Sequence, residues 1–501
     1  MKEEHRLIQD RIRKIEALRA DGVEPYPYRY EVTHRCAAVR AEFAGAPSEP
    51  SKEAVSVAGR IMLHRPMGKT LFMTIQDETD RLQLYFRRDH LGDDAFSVAK
   101  KLAGGDIVGV RGRIFTTKTG ELTIYVDEFT LLCAAVRPLP EKYHGLQEKE
   151  LRYRQRYLDL IANPDVRETF AARARIIAAI RSTLDAHGFL EVETPTLQPI
   201  YGGAYARPFT THHNTLDLDL YLRVSNELYL KRLLVGGFER VYEFVKDFRN
   251  EGMDRTHNPE FTQVECYMAH GDYTDGMRLV EEIFENAAIA ACGTTKVTYQ
   301  DTVLDFTPPW ERLTMVEAIK HHTGLDVMGM SAEELRAWCD THEVEHEPGA
   351  TRGLLINFIF EHACQDKLIQ PTFITDFPIE TTPLCKPLRD GPDGFVERFE
   401  PYAYGWELGN AYSELNDPVL QRALLEEQAE RGRGGDEEAH PMDEDFVRAI
   451  EHGMPPAAGV GLGVDRMVML LTDSYSIRDV ILFPMFRPET HSGPQERAEE
   501  E

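Results

Sequence analysis

Cysteine is scarce in this sequence, and its placement offers neither a disulfide framework nor a metal-binding motif. Only 7 of the 501 residues are cysteine, the number is odd, and no two are spaced as C-x-x-C. Small stapled domains and structural zinc sites both need closely spaced pairs. We therefore expect a reducing compartment, with most of these thiols acting as small buried hydrophobic groups.

Long apolar runs are also missing. The segment Met1 to Asp10 is charged and has no apolar core of the kind that a secretory signal requires. No uninterrupted apolar stretch reaches the length that spans a bilayer. These two features predict a cytoplasmic protein with no membrane segment.

Positive charge is the third deficit. The chain has 57 Lys and Arg residues against 84 Asp and Glu residues, a net charge of -27 at pH 7. Taken alone, that balance disfavours a general nucleic-acid binder, although a local basic face can sit on an acidic body. The 42% hydrophobic and 28% charged residues are typical of a soluble globular protein, and the length predicts two or three domains.

The first 137 residues contain a helix followed by short strands. Apolar residues at helical spacing predict an amphipathic helix from Leu7 to about Arg19, and residues 41–51 read as a loop. Runs rich in β-branched and aromatic residues then alternate with turn residues, with one helix expected from Asp93 to Leu102. Five strands with a helix between the third and fourth predict a small oligonucleotide-binding (OB) barrel. The predicted strands begin at Val55 and continue at 71–76, 81–86, 107–114 and 122–126.

The rest of the chain mixes helices and strands. A charged link follows Pro138 and Pro140, and a long helix is predicted from Thr169 to His187. No internal repeat interrupts the pattern after it. The sequence therefore predicts one large α+β domain in this part.

Three separated segments of this second part contain the first candidate functional residues. They are Gly188–Pro195, the hairpin that runs from Phe248 through Arg249 to Tyr267, and the glycine-rich Gly459–Arg466. Each has an ordinary explanation alone, such as a surface ion pair for Arg249 or close packing for the glycines. Together, in this order and spacing, they resemble the three signature motifs of the class II aminoacyl-tRNA synthetases. That resemblance implies a catalytic domain built on a mixed, mostly antiparallel sheet and preceded by an all-β OB-fold barrel.

Further segments resemble the lysine enzymes of that class. The resemblance implies a lysine–tRNA ligase, which uses ATP to form lysyl-adenylate and pyrophosphate and then transfers lysine to the 3′ end of tRNA(Lys). The segments are 152–160, 202–214, 227–232, 413–417 and 477–484, within a resemblance that runs from about Val55 to Pro488. The implied organisation is an N-terminal helix and linker (1–54), an OB-fold anticodon-binding domain (55–137), an inter-domain link (138–160), the catalytic domain (161–489) and a disordered tail (490–501).

The charge of the lysine side chain supports this assignment. A buried ammonium is costly unless carboxylates pair with it. Glu227 and Glu414 match the family positions for that task, and Tyr267 adds a hydroxyl. An aspartate pocket would need cationic groups instead. Either glutamate alone would more readily be a solvated surface residue.

The remaining roles follow from the resemblance alone. Arg249 and Arg466 are the implied catalytic residues, because they would face the phosphates of ATP. The implied ATP-binding residues are Arg249, Glu251, His257, Asn258, Phe261 and Arg466. Those for lysine are Gly203, Glu227, Glu265, Tyr267, Asn410, Tyr412 and Glu414. Glu400 and Glu407 would hold the cofactor Mg²⁺ with hard oxygen ligands. The segment near Pro195 forms subunit contacts in the family, so a homodimer is expected.

The OB barrel would read the RNA. Arg60, Arg65, Lys69 and Arg81 provide a local basic face on it. The implied anticodon-binding residues are Arg65, Phe72, Gln83 and Glu121, with Phe72 stacking on a base and the two polar residues reading base edges. For Phe72 alone, a place in the barrel core is about as plausible. Two positions depart from a common bacterial pattern: His64, where arginine is frequent, and Ala411-Tyr412, where Gly-Phe is usual.

Three other functions compete with this hypothesis. A sister class II ligase for aspartate is disfavoured by the two glutamates. An enzyme that lysylates a protein would resemble the catalytic domain but lack the OB domain. A non-enzymatic RNA-binding or scaffold protein on a decayed synthetase should have lost the ATP-contacting residues, and Arg249, Glu400, Glu407 and Arg466 are all present.

Overall fold

The computed structural model describes residues 2–139, 146, 148–347, 349–433 and 441–488. It divides into two compact units, Met1–Leu146 and Gln147–Glu501. The tail predicted at 490–501 lies outside the described residues. Among the helices that are described, none is both long enough and apolar enough to cross a membrane.

The first unit is a barrel of five strands with helices before and within it. The strands close in the order β1-β2-β3-β5-β4, and every neighbouring pair is antiparallel except β3 and β5. The helix between the third and fourth strands is present, as predicted. The elements are α1 (Lys2–Ala20), α2 (Cys36–Glu42), β1 (Ala54–Met67), β2 (Thr70–Gln76), β3 (Arg81–Arg87), α3 (Arg88–Leu91), α4 (Asp93–Lys101), β4 (Ile107–Thr116) and β5 (Leu122–Cys133).

Alternation along the strands separates the barrel core from its surface. On β2, Leu71, Met73 and Ile75 are fully or nearly fully buried in the core, whereas Phe72 and Thr74 are half-buried on the other face. This is the period of two that a strand imposes on its side chains. The alternation places Phe72 outside the barrel core, on the strand face where a ligand can reach it.

Helix α2 was not predicted, and its first residues precede the segment expected to be a loop. It is only 7 residues long, which is too short for local pattern to stabilise it in water. Its buried residues Cys36 and Val39 join the barrel core, and the backbone N–H of Cys36 donates to Oδ2 of Asp77 at 2.7 Å. Tertiary contacts therefore stabilise this helix.

The second unit is an α+β domain. Its helices are α5 (Lys149–Arg154), α6 (Arg156–Ala162), α7 (Asp165–Ala186), α8 (Glu227–Val235), α9 (Tyr273–Cys292), α10 (Met315–Thr323), α11 (Ala332–Thr341), α12 (Arg352–Ala363), α13 (Pro418–Arg433), α14 (Glu444–Glu451), α15 (Val464–Leu471) and α16 (Ile477–Val480). Its strands are β6 (Leu190–Glu191), β7 (Leu197–Gln198), β8 (Thr210–His213), β9 (Leu218–Leu222), β10 (Arg240–Phe248), β11 (Glu260–Ala269), β12 (Lys296–Tyr299), β13 (Thr302–Asp305), β14 (Glu311–Thr314), β15 (Thr372–Pro378), β16 (Phe395–Ala403), β17 (Trp406–Glu407), β18 (Gly409–Ser413) and β19 (Ala457–Gly463).

One large sheet organises this unit. Its order is β14-β15-β16-β18-β19-β11-β10-β6, with β17 paired to β16. The pairs β14–β15 and β10–β6 are parallel and the others are antiparallel. The predicted fold class, a mixed and mostly antiparallel sheet preceded by an OB barrel, is confirmed.

Two hydrophobic cores cover the sheet. The first contains residues of α7, α9 and α15, and the second contains residues of α8, α10, α11, α12 and α14. Strand β11 contributes Val264 and Cys266 to the first core, and Tyr267 belongs to the second. The sheet is therefore packed on both faces.

The segment expected to be a charged link contains α5 and α6. Arg156 is almost fully buried there and donates to Asp159 Oδ2 at 2.7 Å and to the carbonyl of Arg478 at 2.7 Å. The second of these partners is supplied by the C-terminal part of the same unit. The sequence pattern predicted a link because it cannot show that some of these charges pair with residues more than 300 positions away.

Candidate active site

A cavity of about 360 Å³ lies over the central strands of the second unit. Its floor is formed by β11, β19 and β18, where Glu265 pairs with Gly461 and Asn410 pairs with the same glycine from the other side. The hairpin β10–β11 also brings Arg249, Glu265 and Tyr267 to this cavity, as the sequence predicted.

Glycines on β19 keep the floor open. A Cβ atom at Gly459 would lie 2.0 Å from Oε1 of Glu414 and 2.4 Å from the ring of Tyr267. One at Gly461 would lie 2.9 Å from the amide nitrogen of Gln263. Real Cβ contacts are not that short, so the glycines are needed for the neighbouring side chains to reach the cavity.

Acidic side chains gather at one end, which we call the carboxylate end (Glu227, Glu265, Tyr267 and Glu414). Glu227 opens α8, Glu265 and Tyr267 lie on β11, and Glu414 follows β18. All four are buried and line the cavity. Glu265 accepts hydrogen bonds from Ser225 Oγ at 3.0 Å and from Tyr267 Oη at 3.2 Å.

Lys231 joins two of these carboxylates. Its Nζ donates to Glu227 Oε1 at 2.6 Å and forms an ion pair with Glu414 Oε2. Lys231 and Glu414 are 0% exposed. Glu227 and Glu414 line the cavity, but Lys231 is not among its described lining residues, so its ammonium lies behind them.

Burial governs the protonation of this cluster. It raises the pKa of Glu414 to about 8, although the Lys231 ammonium opposes the rise. Burial also raises the pKa of Glu227, again with Lys231 opposing. For Lys231 itself, burial lowers the pKa, but the two carboxylates outweigh it and the pKa lies above its ordinary value.

Basic side chains and one aromatic ring form a second group along the cavity, which we call the arginine end (Arg249, His257, Phe261 and Arg466). The guanidinium of Arg249 lies 5.0 Å from the centroid of the Phe261 ring. Arg466 Nη2 donates to Nε2 of His257 at 3.0 Å, and Nδ1 of His257 lies 2.8 Å from Oδ2 of Asp254. These contacts hold the His257 ring in place between Asp254 and Arg466.

The other residues expected to bind ATP lie nearby. Glu251 and Asn258 both line the cavity, and the side-chain amide of Asn258 donates to the carbonyl of Glu260 at 2.6 Å. They belong to the loop between β10 and β11, whose ends meet because Arg249 N–H donates to the carbonyl of Pro259 at 2.9 Å. That contact brings the start and end of the loop to one side of the cavity.

The remaining residues expected to bind lysine also border the cavity. Gly203, Asn410 and Tyr412 line it, and the amide of Asn410 donates to Tyr412 Oη at 2.7 Å. Gly203 has a φ of +88°, and a Cβ atom there would lie 2.8 Å from Ser225 Oγ. Both the backbone conformation and the space therefore favour glycine.

The pair expected to hold a metal ion lies on adjacent strands. Burial raises the pKa of Glu400 to about 7, and the charge of Glu407 adds to the rise while Arg398 opposes it. Arg398 donates to one oxygen of Glu400 and Tyr402 to the other, but each oxygen keeps a second lone pair. Two carboxylates close enough to repel each other form a donor set that fits a hard divalent cation.

A second cavity, of about 340 Å³, lies on the barrel of the first unit. Arg65, Phe72 and Gln83 line it, together with Lys118. Of the four residues expected to bind the anticodon, Glu121 is not among the described lining residues, and it pairs with Arg40 at 3.3 Å.

Aromatic rings continue from Phe72 across the barrel surface. The Phe72 and Tyr85 centroids are 4.8 Å apart, and Tyr85 lies 5.7 Å from Tyr125 and 5.9 Å from Phe115. All four are half-buried. A face of partly exposed rings beside basic side chains is suited to unpaired nucleic-acid bases.

Three residues near the first cavity were not predicted. Lys231 follows Glu227 by four positions on α8, a helical spacing that could have revealed the pair. Arg398 lines the cavity and packs against Phe377, with its guanidinium 4.5 Å from the ring centroid. Asp247 is fully buried 3.6 Å from Arg223, and neither of its oxygens accepts a hydrogen bond from the described residues. No local sequence pattern marks the last two, because it is the tertiary fold that brings Arg398 to Phe377 and Asp247 to Arg223.

Comparison with known proteins gives matches over both units. Residues 148–487 match the family described as tRNA synthetases class II (D, K and N), and residues 55–132 match the OB-fold nucleic acid binding domain. The chain is 54% identical over 486 residues to the lysine–tRNA ligase of Moorella thermoacetica, which covers 97% of this chain and 98% of that protein. It is 51% identical over 485 residues to that of Pelotomaculum thermopropionicum (96% and 95% covered) and 51% over 492 residues to that of Methanoculleus marisnigri (98% and 97% covered).

Proposed function

Since the chain belongs to the lysine–tRNA ligases of the class II tRNA synthetase family, we propose that its central cavity activates lysine with ATP and supplies it to tRNA. One observation supports this most directly: the same cavity is lined by a cluster of buried carboxylates and by several arginines. A cationic side chain fits the carboxylate end and a polyphosphate fits the arginine end.

Lysine would lie with its ammonium at the carboxylate end. Glu227 and Glu414 pair with the ammonium, and the Tyr267 hydroxyl borders the same space. Glu265, Asn410 and the backbone of Gly203 hold the α-amino end. A cation is tolerated there because carboxylates replace its water.

ATP would occupy the arginine end. Arg249 binds the α-phosphate and the carboxylate of lysine with its forked guanidinium. Phe261, whose ring lies next to Arg249, stacks on adenine. Glu251 and Asn258 position the nucleotide. Arg466, steadied by His257, faces the outer phosphates that leave as pyrophosphate.

Glu400 and Glu407, on the paired strands β16 and β17, are the residues that would hold Mg²⁺; of the two, Glu407 lines the cavity. When bound, this ion neutralises phosphate charge. The arrangement around them supports that role, since Arg398 and Tyr402 fix Glu400 while Glu407 is partly exposed towards the cavity.

The first step needs no nucleophilic side chain. The carboxylate oxygen of lysine attacks the α-phosphorus of ATP, the bond to the bridging oxygen breaks, and pyrophosphate leaves. Arg249 and Arg466 contribute by aligning the two substrates and by stabilising the charge that develops on the phosphate oxygens. In the second step, the 3′-terminal ribose hydroxyl of tRNA attacks the carbonyl of the adenylate and releases AMP.

The barrel would recognise the anticodon. Phe72 provides a ring for one base, Gln83 offers a hydrogen-bonding group to a base edge, and Arg65 contributes positive charge. Glu121, which lies beside Arg40, would offer a second such group. Gln83 already accepts a hydrogen bond from Thr123 Oγ1 at 2.9 Å, which orients its amide.

A homodimer and a cytoplasmic location complete the proposal. Exposed apolar side chains cluster in sequence around the first signature segment, including Leu190 at 49%, Leu197 at 46% and Ile200 at 37%. Apolar surface of this kind is typical of an interface. Light scattering at micromolar concentration should therefore give about twice 57.1 kDa.

Pyrophosphate exchange with each of the twenty amino acids tests the activation step. We expect ATP to incorporate labelled pyrophosphate in the presence of lysine and at no more than background level with aspartate or asparagine. Arg249→Gln serves as the inactive control, because it keeps much of the side-chain bulk but removes the positive charge that would face the phosphate. Equal exchange with asparagine and lysine would overturn the lysine assignment.

A further inference from the structure

Lys231 is an ammonium that the protein itself places against the two carboxylates proposed to bind the substrate ammonium. It lies one helical turn after Glu227 on α8, and it reaches across to Glu414 at the end of β18. Its side chain is 0% exposed. It also lies 3.5 Å from the carbonyl of Leu384, so that the ammonium has a third oxygen neighbour.

Glu414 has one oxygen that Lys231 does not use. Lys231 forms its ion pair with Oε2. Neither oxygen meets the geometry of a hydrogen bond to a described residue, and Oε1 lies beside Gly459, which lines the cavity. Because Glu414 lines the cavity and Lys231 does not, the two faces of this carboxylate have different neighbours. A cation that enters from the cavity would meet the unused oxygen.

The charges around the pair can be counted. When Glu227 and Glu414 are both ionised they carry two negative charges, and Lys231 cancels one of them. One negative charge then remains for one incoming ammonium, and the buried group becomes neutral when the substrate is bound. A buried cluster is tolerated when its charges are paired in this way.

We propose that Lys231 is a specificity-determining positioning residue: its ammonium fixes Glu227 and Glu414 from behind and leaves the pocket with one uncompensated negative charge for the ammonium of the substrate. The inference rests on the proposed function, since it assumes that the substrate is lysine. Lys231 contacts the two carboxylates proposed to bind the substrate ammonium, but it does not itself border the cavity.

Without Lys231, a proton would take its place. Without an ammonium between them, the two buried carboxylates would repel each other, so one would take up a proton that competes with the substrate ammonium. The other ionisable groups around the pair remain in every variant below. They are Glu265 and Tyr267 on β11, Arg398 on β16, Tyr412 on β18 and the Cys385 thiol.

Lys231→Met tests the role of the ammonium, with Arg232→Met as the matched control. Arg232 follows Lys231 on the same helix but pairs with Asp443 at 2.7 Å, away from the carboxylates. In pyrophosphate exchange, Lys231→Met should raise the KM for lysine by about tenfold or more and change the KM for ATP little. The increase in the KM for lysine caused by Lys231→Met should become smaller as the pH is raised, because the competing proton is removed. Arg232→Met should leave both constants near their original values.

Charge balance provides a second test. Glu227→Gln alone leaves a pocket of zero net charge, whereas Glu227→Gln combined with Lys231→Met restores one negative charge on Glu414. We expect the double variant to bind lysine about tenfold better than Glu227→Gln. A purely structural Lys231 predicts the opposite order, with the double variant worse than either single one.

The outcomes separate this inference from the proposed function. If the unaltered protein shows no lysine-dependent exchange, the proposed function fails. If it shows exchange but Lys231→Met matches Arg232→Met, or the double variant is the weakest, Lys231 only supports the fold. Should Lys231→Met fail to fold, as judged by circular dichroism, the order of Glu227→Gln and the double variant still decides the question.

Discussion

The two cavities have nearly the same volume, about 360 and 340 Å³, but different kinds of side chain line them. The first is lined in part by the buried carboxylates of Glu227 and Glu414. Both pair with Lys231, so their positions are fixed before a ligand binds. The second is a surface depression on the barrel, bordered by the half-buried ring of Phe72 and by basic side chains. The difference matches the proposed ligands, a small cation that loses its water and an RNA base that stays partly in it.

Changing Glu414 to Gln should have the largest effect and should be confined to the first cavity. The shape is kept but the charge is lost, which leaves a buried ammonium partly unpaired at a cost of about 3–5 kcal/mol. We expect kcat/KM for lysine in pyrophosphate exchange to fall by roughly two to four orders of magnitude. ATP binding in the absence of lysine should barely change. An equal loss of ATP binding would place Glu414 in the fold and not in the pocket.

Gly459→Ala should damage the same cavity through shape alone. The new Cβ atom would lie 2.0 Å from Glu414 Oε1 and 2.4 Å from the Tyr267 ring, and both neighbours are held by other contacts. Crowding of this kind typically costs about 1–3 kcal/mol, and we expect it mainly in the KM for lysine. Gly453→Ala is a control away from the cavity, where a Cβ atom meets nothing within 4 Å although φ is +101°. If Gly459→Ala binds lysine no worse than this control, the space around Gly459 in the cavity floor can accept a methyl group, which would contradict the close contacts with Glu414 and Tyr267.

Phe72→Ala should affect the second cavity and spare the first. Losing one stacked base costs about 1–3 kcal/mol, so aminoacylation of tRNA should weaken while lysine-dependent pyrophosphate exchange stays nearly intact. The buried neighbour Met73 offers a contrast, because Met73→Ala should lower the melting temperature of the barrel instead. A parallel fall in exchange and aminoacylation for Phe72→Ala would make Phe72 a folding residue.

The smallest effect we expect is that of pH on lysine recognition. Burial raises the pKa of Glu414 to about 8. The ammonium of lysine binds the carboxylate form, so protons compete with it below this pKa. The value of kcat/KM for lysine should therefore rise with pH, by at most about tenfold per unit, and level off near pH 8. A profile that is flat from pH 6 to pH 9 would mean that Glu414 is already ionised throughout.

The contrast between the cavities also explains what the sequence could predict. Side chains that touch a ligand lie in short segments with recognisable spacing, so the sequence alone assigns Arg249, Glu265 and Gly459–Arg466 to one site, and all of these segments border the first cavity. Fold class followed from the same segments and from the alternation in the barrel. Residues that act through a second side chain were missed. Lys231 reaches Glu414 over 183 positions by tertiary packing, and α2 is stabilised by the barrel and not by its own pattern.

The most direct test compares lysine with a neutral isostere, 6-hydroxynorleucine, in which a hydroxyl replaces the ammonium. In pyrophosphate exchange, the unaltered protein should prefer lysine by about a thousandfold or more in kcat/KM, because the isostere leaves a buried carboxylate unpaired. In Glu414→Gln this preference should fall to less than about tenfold, since the charge that distinguishes the two ligands is gone. A preference that survives the substitution unchanged would contradict the claim that the buried carboxylates recognise the ammonium.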